Sequence, residues 1–351
     1  MSYLLSVETA VPAHRIAQVD TKHLVAQLFP QLAEKPRMLS IFDNAAIDFR
    51  HLAQPLEWYA QAHPFEEKNE LYKKLALELG LAAARKALKE SGLEPSALGA
   101  VIWVSNSGFA TPSLDSYLVQ QLGLSRHVQR LPILGLGCAG GASALGKAAS
   151  FARALDKPVL LVSVELNSLS FIKDDFDKAN FVSSGLFADG AAAAIVSPRP
   201  SHDRLPIVQL KGSHSTLLDD SEDIMGFRLT DKGLKVWLSR DLPGLLERIL
   251  PQNLQDALGL VRWTLGDLRH FVMHPGGAKV LSVLERVTGQ PEGALEDSRG
   301  VLRDYGNMSS PTVLFVLERF LKRQPEVGKG ILSAMGPGFS IEHVFFEVLG
   351  D

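Results

Sequence analysis

Apolar residues along the chain fall into short continuous runs separated by longer stretches with helical spacing. Residues 3–12 read as a strand closed by Pro12, and residues 100–105, 158–165 and 191–196 are nearly unbroken apolar runs. Such runs are the pattern of strands buried on both faces. Residues 19–33 and 67–91 read as helices; the second is rich in Leu, Ala, Lys and Glu, and Gly92 stops it. A loop over 106–112 leads to a helix around 113–122, and residues 166–182 are irregular and polar. Strands alternating with helices predict an α/β protein.

The pattern is most unusual at residues 134–149. An apolar run containing Leu131, Ile133, Leu134 and Leu136 meets Gly-Cys-Ala-Gly-Gly, and then an unbroken series of small residues. This predicts a buried strand, a tight turn, and a helix packed so closely that only Gly, Ala and Ser fit. Cys138, the single cysteine of the chain, sits at that turn. Unpaired N–H groups and the helix dipole at such a position stabilise a thiolate. A buried structural cysteine is the alternative.

The second half repeats the first. Residues 264–277 correspond to 96–108, each a buried strand leading into a Gly-containing loop. Tyr305-Gly-Asn-Met-Ser-Ser-Pro, opening a helix to about Lys322, corresponds to Leu136-Gly-Cys-Ala-Gly-Gly-Ala. The strand at 331–335 corresponds to 159–164. A repeat this long predicts two similar α/β halves packed together. The linker-like residues 197–203 place the boundary, giving halves of 1–200 and 201–351.

The 351 residues exceed one common core, and 46% hydrophobic with 21% charged residues excludes a mostly disordered chain. A net charge of −3 and the absence of a basic block give no sign of a nucleic-acid partner. A lone cysteine forms no internal disulfide, so the thiol is expected reduced, in a cytoplasm. The ten histidines form no cluster with zinc-ligand spacing, so no metal is expected. No segment reads as a signal peptide or a transmembrane helix.

Three loops carry chemistry. Cys138 supplies a nucleophile. His274, in His-Pro-Gly-Gly, ends a strand, and Asn307, in Gly-Asn-Met-Ser-Ser, opens a helix. A Cys–His pair lets the imidazole stabilise the thiolate, and His plus Asn can hold an oxyanion. Taken singly, Asn307 also reads as a helix cap and His274 as a hydrogen-bonded core histidine. The repeat favours the chemical reading, because it brings Asn307 to the position symmetric with Cys138.

These stretches resemble the type III polyketide synthases, the chalcone-synthase superfamily within the thiolase fold. The resemblance covers nearly the whole chain. It is carried by Leu136-Gly-Cys-Ala-Gly-Gly, Leu186-Phe-Ala-Asp-Gly-Ala-Ala-Ala, Ser239-Arg-Asp-Leu-Pro-Gly, His274-Pro-Gly-Gly, Tyr305-Gly-Asn-Met-Ser-Ser and Met335-Gly-Pro-Gly-Phe. It implies a layered αβαβα fold of two pseudo-symmetric halves. Acyl-CoA would load onto Cys138, malonyl-CoA would be activated by His274 and Asn307, and no separate cofactor would be needed. Phe187 matches a phenylalanine at the junction of tunnel and cavity. Thr111, before Pro112, falls where a partner subunit inserts a residue, which implies a homodimer.

Departures from the family pattern bear on substrate. A second gatekeeper phenylalanine is Val236 here, and a lining glycine of the plant enzymes aligns with Phe227; Asn106 and Ser170 are further lining positions. Valine opens the entrance, while Phe227 blocks a pocket for an aromatic ring; compensating core packing explains both equally. With Trp58-Tyr and Phe65-Glu-Glu-Lys-Asn, this stretch most resembles bacterial synthases making alkylpyrones or alkylresorcinols from fatty acyl-CoA. Arg37 matches a CoA-contacting arginine, and Lys35, Arg50 and Lys279 lie near such positions, where a solvated surface role is the alternative. The rival enzyme is a ketoacyl-ACP synthase III performing one condensation; the rival of another class is a non-catalytic acyl-binding protein of the same fold.

Overall fold

The computed structural model describes residues 1–34, 36–201 and 206–350. Thirteen strands are introduced in chain order: β1 (Ser2–Ala10), β2 (His14–Ala17), β3 (Phe49–Leu52), β4 (Ala100–Val104), β5 (Gln129–Ile133), β6 (Val159–Leu166), β7 (Asp189–Ser197), β8 (Ile207–Leu217), β9 (Met225–Thr230), β10 (Gly233–Leu238), β11 (Leu268–Met273), β12 (Gly328–Gly336) and β13 (Ser340–Leu349). Nine of them form one sheet in the order β11-β12-β13-β8-β1-β7-β6-β4-β5. The order reads outward from the centre as the same succession on both sides. β8 mirrors β1, β13 mirrors β7, β12 mirrors β6, and β11 mirrors β4. The halves join by a short ladder, Ser2 to Leu210, Tyr3 to Gln209 and Leu4 to Val208.

Layers follow from which faces are apolar. The helix Phe65–Ser91 buries Ala76, Ala83, Ala84 and Ala87 against Val101, Trp103, Leu160 and Val162 on the outside of the first half. The helices Gly140–Leu155 and Thr312–Lys322 lie between the halves, packing Ala142, Leu145, Val316 and Leu317 against Leu161 of one half and Leu332 and Val344 of the other. The helices Leu242–Leu260 and Ala278–Val287 cover the far side through Leu246, Leu250, Leu281 and Leu284 against Ile331 and Phe345. The result is an αβαβα stack. A Cβ on Gly141 would stand 2.2 Å from the backbone oxygen of Ser310, so the small-residue helix meets its counterpart at a distance that excludes any side chain.

Several elements differ from the sequence expectation. The helix expected over 19–33 is Gln18–Leu28, followed by a 3-10 turn at Pro30–Glu34. The supposedly irregular stretch 166–182 contains the start of a helix, Lys178–Leu186, capped by the Asp177 side chain accepting from the Ala179 N–H. The β9–β10 hairpin and β13 had no counterpart in the expected elements.

Candidate active site

Cys138 lies on a 3-10 turn, Gly137–Ala139, that runs directly into the helix Gly140–Leu155. Gly137 takes φ +46° there, which glycine adopts without Cβ strain. The loop is held from behind. Asn106 Oδ1 accepts the N–H groups of Gly135 (2.7 Å) and Gly137 (3.2 Å). Asn106 in turn donates through Nδ2 and its backbone N to Glu165, at 2.6 and 2.9 Å. Glu165 also accepts from Ser310 Oγ at 2.6 Å, and burial raises its carboxyl above the usual range.

Asn307 and Phe187 are fixed by one backbone bridge. The Asn307 N–H donates to Leu186 O (3.0 Å), and the Ala188 N–H donates to Asn307 O (2.9 Å). The Asn307 Oδ1 accepts from Ser309 N at 2.8 Å and faces Cys138 Sγ at 4.0 Å. Its Nδ2 makes only a long bond to Gly276 O, 3.4 Å, so a donor remains for an incoming oxygen. His274 follows β11, with its backbone N–H on Ser333 O at 2.8 Å. Its ring is buried, and neither ring nitrogen has a hydrogen-bond partner. An orphaned buried imidazole is costly unless substrate completes it.

Cys138, His274, Asn307 and Phe187 line one apolar cavity, together with Phe227 and Val236. Phe227 on β9 and Val236 on β10 are directly paired across the hairpin. This cavity shares Gly137, Phe227 and Trp237 with a second of about 430 Å3, which Asn106 also borders. Burial pushes the Cys138 thiol up to about 11, with the contacts to Ser309 and Asn307 acting in the opposite direction. Burial alone pushes His274 down to about 3. Burial thus disfavours a charge on either group alone.

The remaining expected residues are dispersed. Ser170 lines a separate cavity behind Phe187, its Oγ donating to Asn167 O at 2.6 Å. Asn106 spends its side chain on the Cys138 loop and also borders the second cavity. Thr111 is exposed on a surface loop. Arg37 and Lys279 are exposed, Lys279 in the first turn of the helix after Gly276 and Gly277. Lys35 lies outside the described residues. Arg50 is only 2% exposed, its Nη1 donating to Ser184 O (2.6 Å) and Phe187 O (2.7 Å); burial corrects both the CoA-phosphate and the solvated reading. Glu165 and Ser309 escaped the sequence reading. A carboxylate in the otherwise apolar run 159–166 was the signal for Glu165.

The chain matches the family described as chalcone and stilbene synthases, with its N-terminal domain over residues 3–200 and its C-terminal domain over 209–349. A Bacillus subtilis (strain 168) protein with the provisional name chalcone synthase is 36% identical, over 99% of each chain. A 1,3,6,8-tetrahydroxynaphthalene synthase of Streptomyces peucetius subsp. caesius is 35% identical over 97% of this chain and 92% of its own. The crystal structure of the 1,3,6,8-tetrahydroxynaphthalene synthase of Streptomyces coelicolor A3(2), a bacterial type III polyketide synthase, superposes with a TM-score of 0.94 at 29% identity. That superposition covers 99% of this chain and 100% of the other.

Proposed function

Since the chain belongs to the chalcone and stilbene synthase family and is a type III polyketide synthase of the acyltransferase class, we propose that it condenses a long-chain aliphatic acyl-CoA with malonyl-CoA units to give alkylpyrones or alkylresorcinols. The observation that carries this reading is the apolar cavity at Cys138, which borders the wider one at Phe227 and Trp237. Phe227 stands between the two, leaving a flexible chain easier to house than a rigid aromatic ring. The family match sets aside the single-condensation ketoacyl-ACP synthase and the non-catalytic reading.

The Cys138 thiol passes its proton to a free nitrogen of His274, and the thiolate attacks the acyl-CoA carbonyl, expelling CoA, whose sulfur takes the proton from His274 and leaves as the free thiol. The thioester oxygen of malonyl-CoA then accepts from the N–H of the neutral His274 ring and from Asn307 Nδ2. These donors stabilise the enolate formed as CO2 leaves. The enolate carbon attacks the Cys138 thioester, forming the new carbon–carbon bond as the sulfur–acyl bond breaks and Cys138 leaves as the thiolate. Phe187, fixed beside Asn307, presents an apolar wall to the departing carboxylate. Cations at Arg37 and Lys279 meet CoA phosphates at the mouth. Two copies pair through the Thr111 loop, a reading supported by the exposed Phe109, Tyr117 and Leu134.

Incubation with malonyl-CoA and acyl-CoA starters of increasing length, plus one aromatic, tests the reading by mass spectrometry of the products. Products carrying the starter tail and peaking with long aliphatic starters support it. Preference for the aromatic starter, or a product built from malonyl-CoA alone, contradicts it.

A further inference from the structure

Behind Phe187, away from Cys138, lies a further cavity, with about 50 Å3 open to the centre of a water molecule. One water needs roughly 10–15 Å3 on that scale, so the space suits a short, narrow molecule. Arg50 lines it, together with Thr21, Leu24, Leu52, Leu56 and Phe171. Among the described residues Arg50 makes no ion pair with a carboxylate, and its Nε and Nη2 have no hydrogen-bond partner. Nη1 is taken by the carbonyls of Ser184 and Phe187. Nε and Nη2 share one edge of the guanidinium, the edge that receives both oxygens of a carboxylate side-on. The hydroxyl of Thr21, which also lines the cavity, is likewise buried and unpartnered.

The neighbouring acid does not fill this edge. Asp189 spends its oxygens on Ser168 N (2.8 Å), Ala53 N (2.6 Å) and Ser168 Oγ (2.5 Å). Burial pulls Arg50 down only to about 10, so it remains charged at neutral pH. Waters could satisfy the two N–H groups singly, but only an anion meets both and the charge as well.

We propose that this cavity is a binding site for a short-chain carboxylate, its head on the Nε/Nη2 edge of Arg50 and on Thr21 Oγ1, and its tail along Leu24, Leu52, Leu56 and Phe171. Phe187 is the shared wall between this site and the catalytic cavity. Binding requires no turnover, so its outcome is independent of which starter the enzyme uses.

Calorimetric titration of the full chain with acetate, butyrate and hexanoate, each against its matched primary alcohol, reads the site. The expected result is one site at which butyrate or hexanoate binds at least about tenfold more tightly than the alcohol, the margin of a charge-assisted bidentate pair. Leu24→Trp, which puts a bulkier side chain at a lining position, abolishes that binding. Thr21→Val weakens it several-fold with the fold intact. No heat with any acid, equal affinity for acid and alcohol, or unchanged binding in both variants overturns the proposal.

Discussion

Cys138 and His274 share one apolar cavity, and burial there disfavours a charge on either alone. The proposed transfer of one proton from sulfur to imidazole would make each charge the other's partner. The pH profile of Cys138 alkylation tests this. Wild type is expected to reach half-maximal rate about one to three pH units below His274→Gln, the usual effect of a nearby opposite charge on a pKa. Coincident profiles would show that the thiol titrates without the imidazole. At the β9–β10 pair, Phe227→Gly with Val236→Phe restores the family pattern. The double variant is expected to shift the ratio of aromatic to aliphatic starter turnover by about tenfold or more toward the aromatic, as pocket-volume changes do; an unchanged ratio would mean that these side chains do not select the starter. The sequence exposed Cys138, His274 and Asn307 because each interrupts an otherwise predictable loop with a reactive type. Arg50 was misread because its burial depends on helices distant in sequence, and nothing next to it in the chain records that.

Elements place these residues through close packing. Gly141 lets the nucleophile helix meet Ser310 at the head of its counterpart, and the Glu165–Asn106 pair ties the Cys138 turn to the sheet. Gly141→Ala puts a methyl 2.2 Å from a backbone oxygen and is expected to cost about 1–3 kcal/mol or more in thermal or urea unfolding. Gly259→Ala, in an exposed helical turn with no atom within 4 Å of the new carbon, is expected to be neutral or stabilising by up to about 1 kcal/mol. Equal effects would contradict the close-approach argument. Asn106→Leu leaves Glu165 and two loop N–H groups short of partners; about 1–3 kcal/mol of stability and most of the turnover are expected to go with it. The continuous apolar strands β4, β6 and β7 were legible because they are buried on both faces. The strand β13 was hidden by Glu342 and His343, polar residues whose partners, Ser215, Ser333 and Asn253, come from elsewhere in the chain.

At the scale of the whole molecule, the doubled αβαβα stack brings loops from both halves to one cavity. The internal repeat disclosed this arrangement, since it predicted matching strands and the symmetric placement of Cys138 and Asn307. Among the described residues no helix is long and apolar enough to cross a membrane. The interior also couples two histidines to pH. His274 and His343 are each held neutral by burial, down to about 3, whereas an unfolded chain protonates them near 6.5. The unfolded state then binds more protons, so stability is complete above pH 6.5 and falls as pH drops toward 3, by up to about 1.4 kcal/mol per pH unit for each histidine. Buried Asp189 and Glu165, whose carboxyl pKa values are raised by burial, act in the opposite direction, so the test is differential. Between pH 7 and pH 5 His343→Gln is expected to lose less stability than wild type, and parallel pH profiles would contradict it.

The most direct test of the account is the intact mass of the protein after brief exposure to a long-chain acyl-CoA, with and without malonyl-CoA. The predicted result is a single added acyl group, absent in Cys138→Ala and discharged when malonyl-CoA is supplied. An adduct that survives Cys138→Ala, or one on Cys138 that malonyl-CoA never consumes, would contradict the assignment of Cys138 as the residue on which the chain is built.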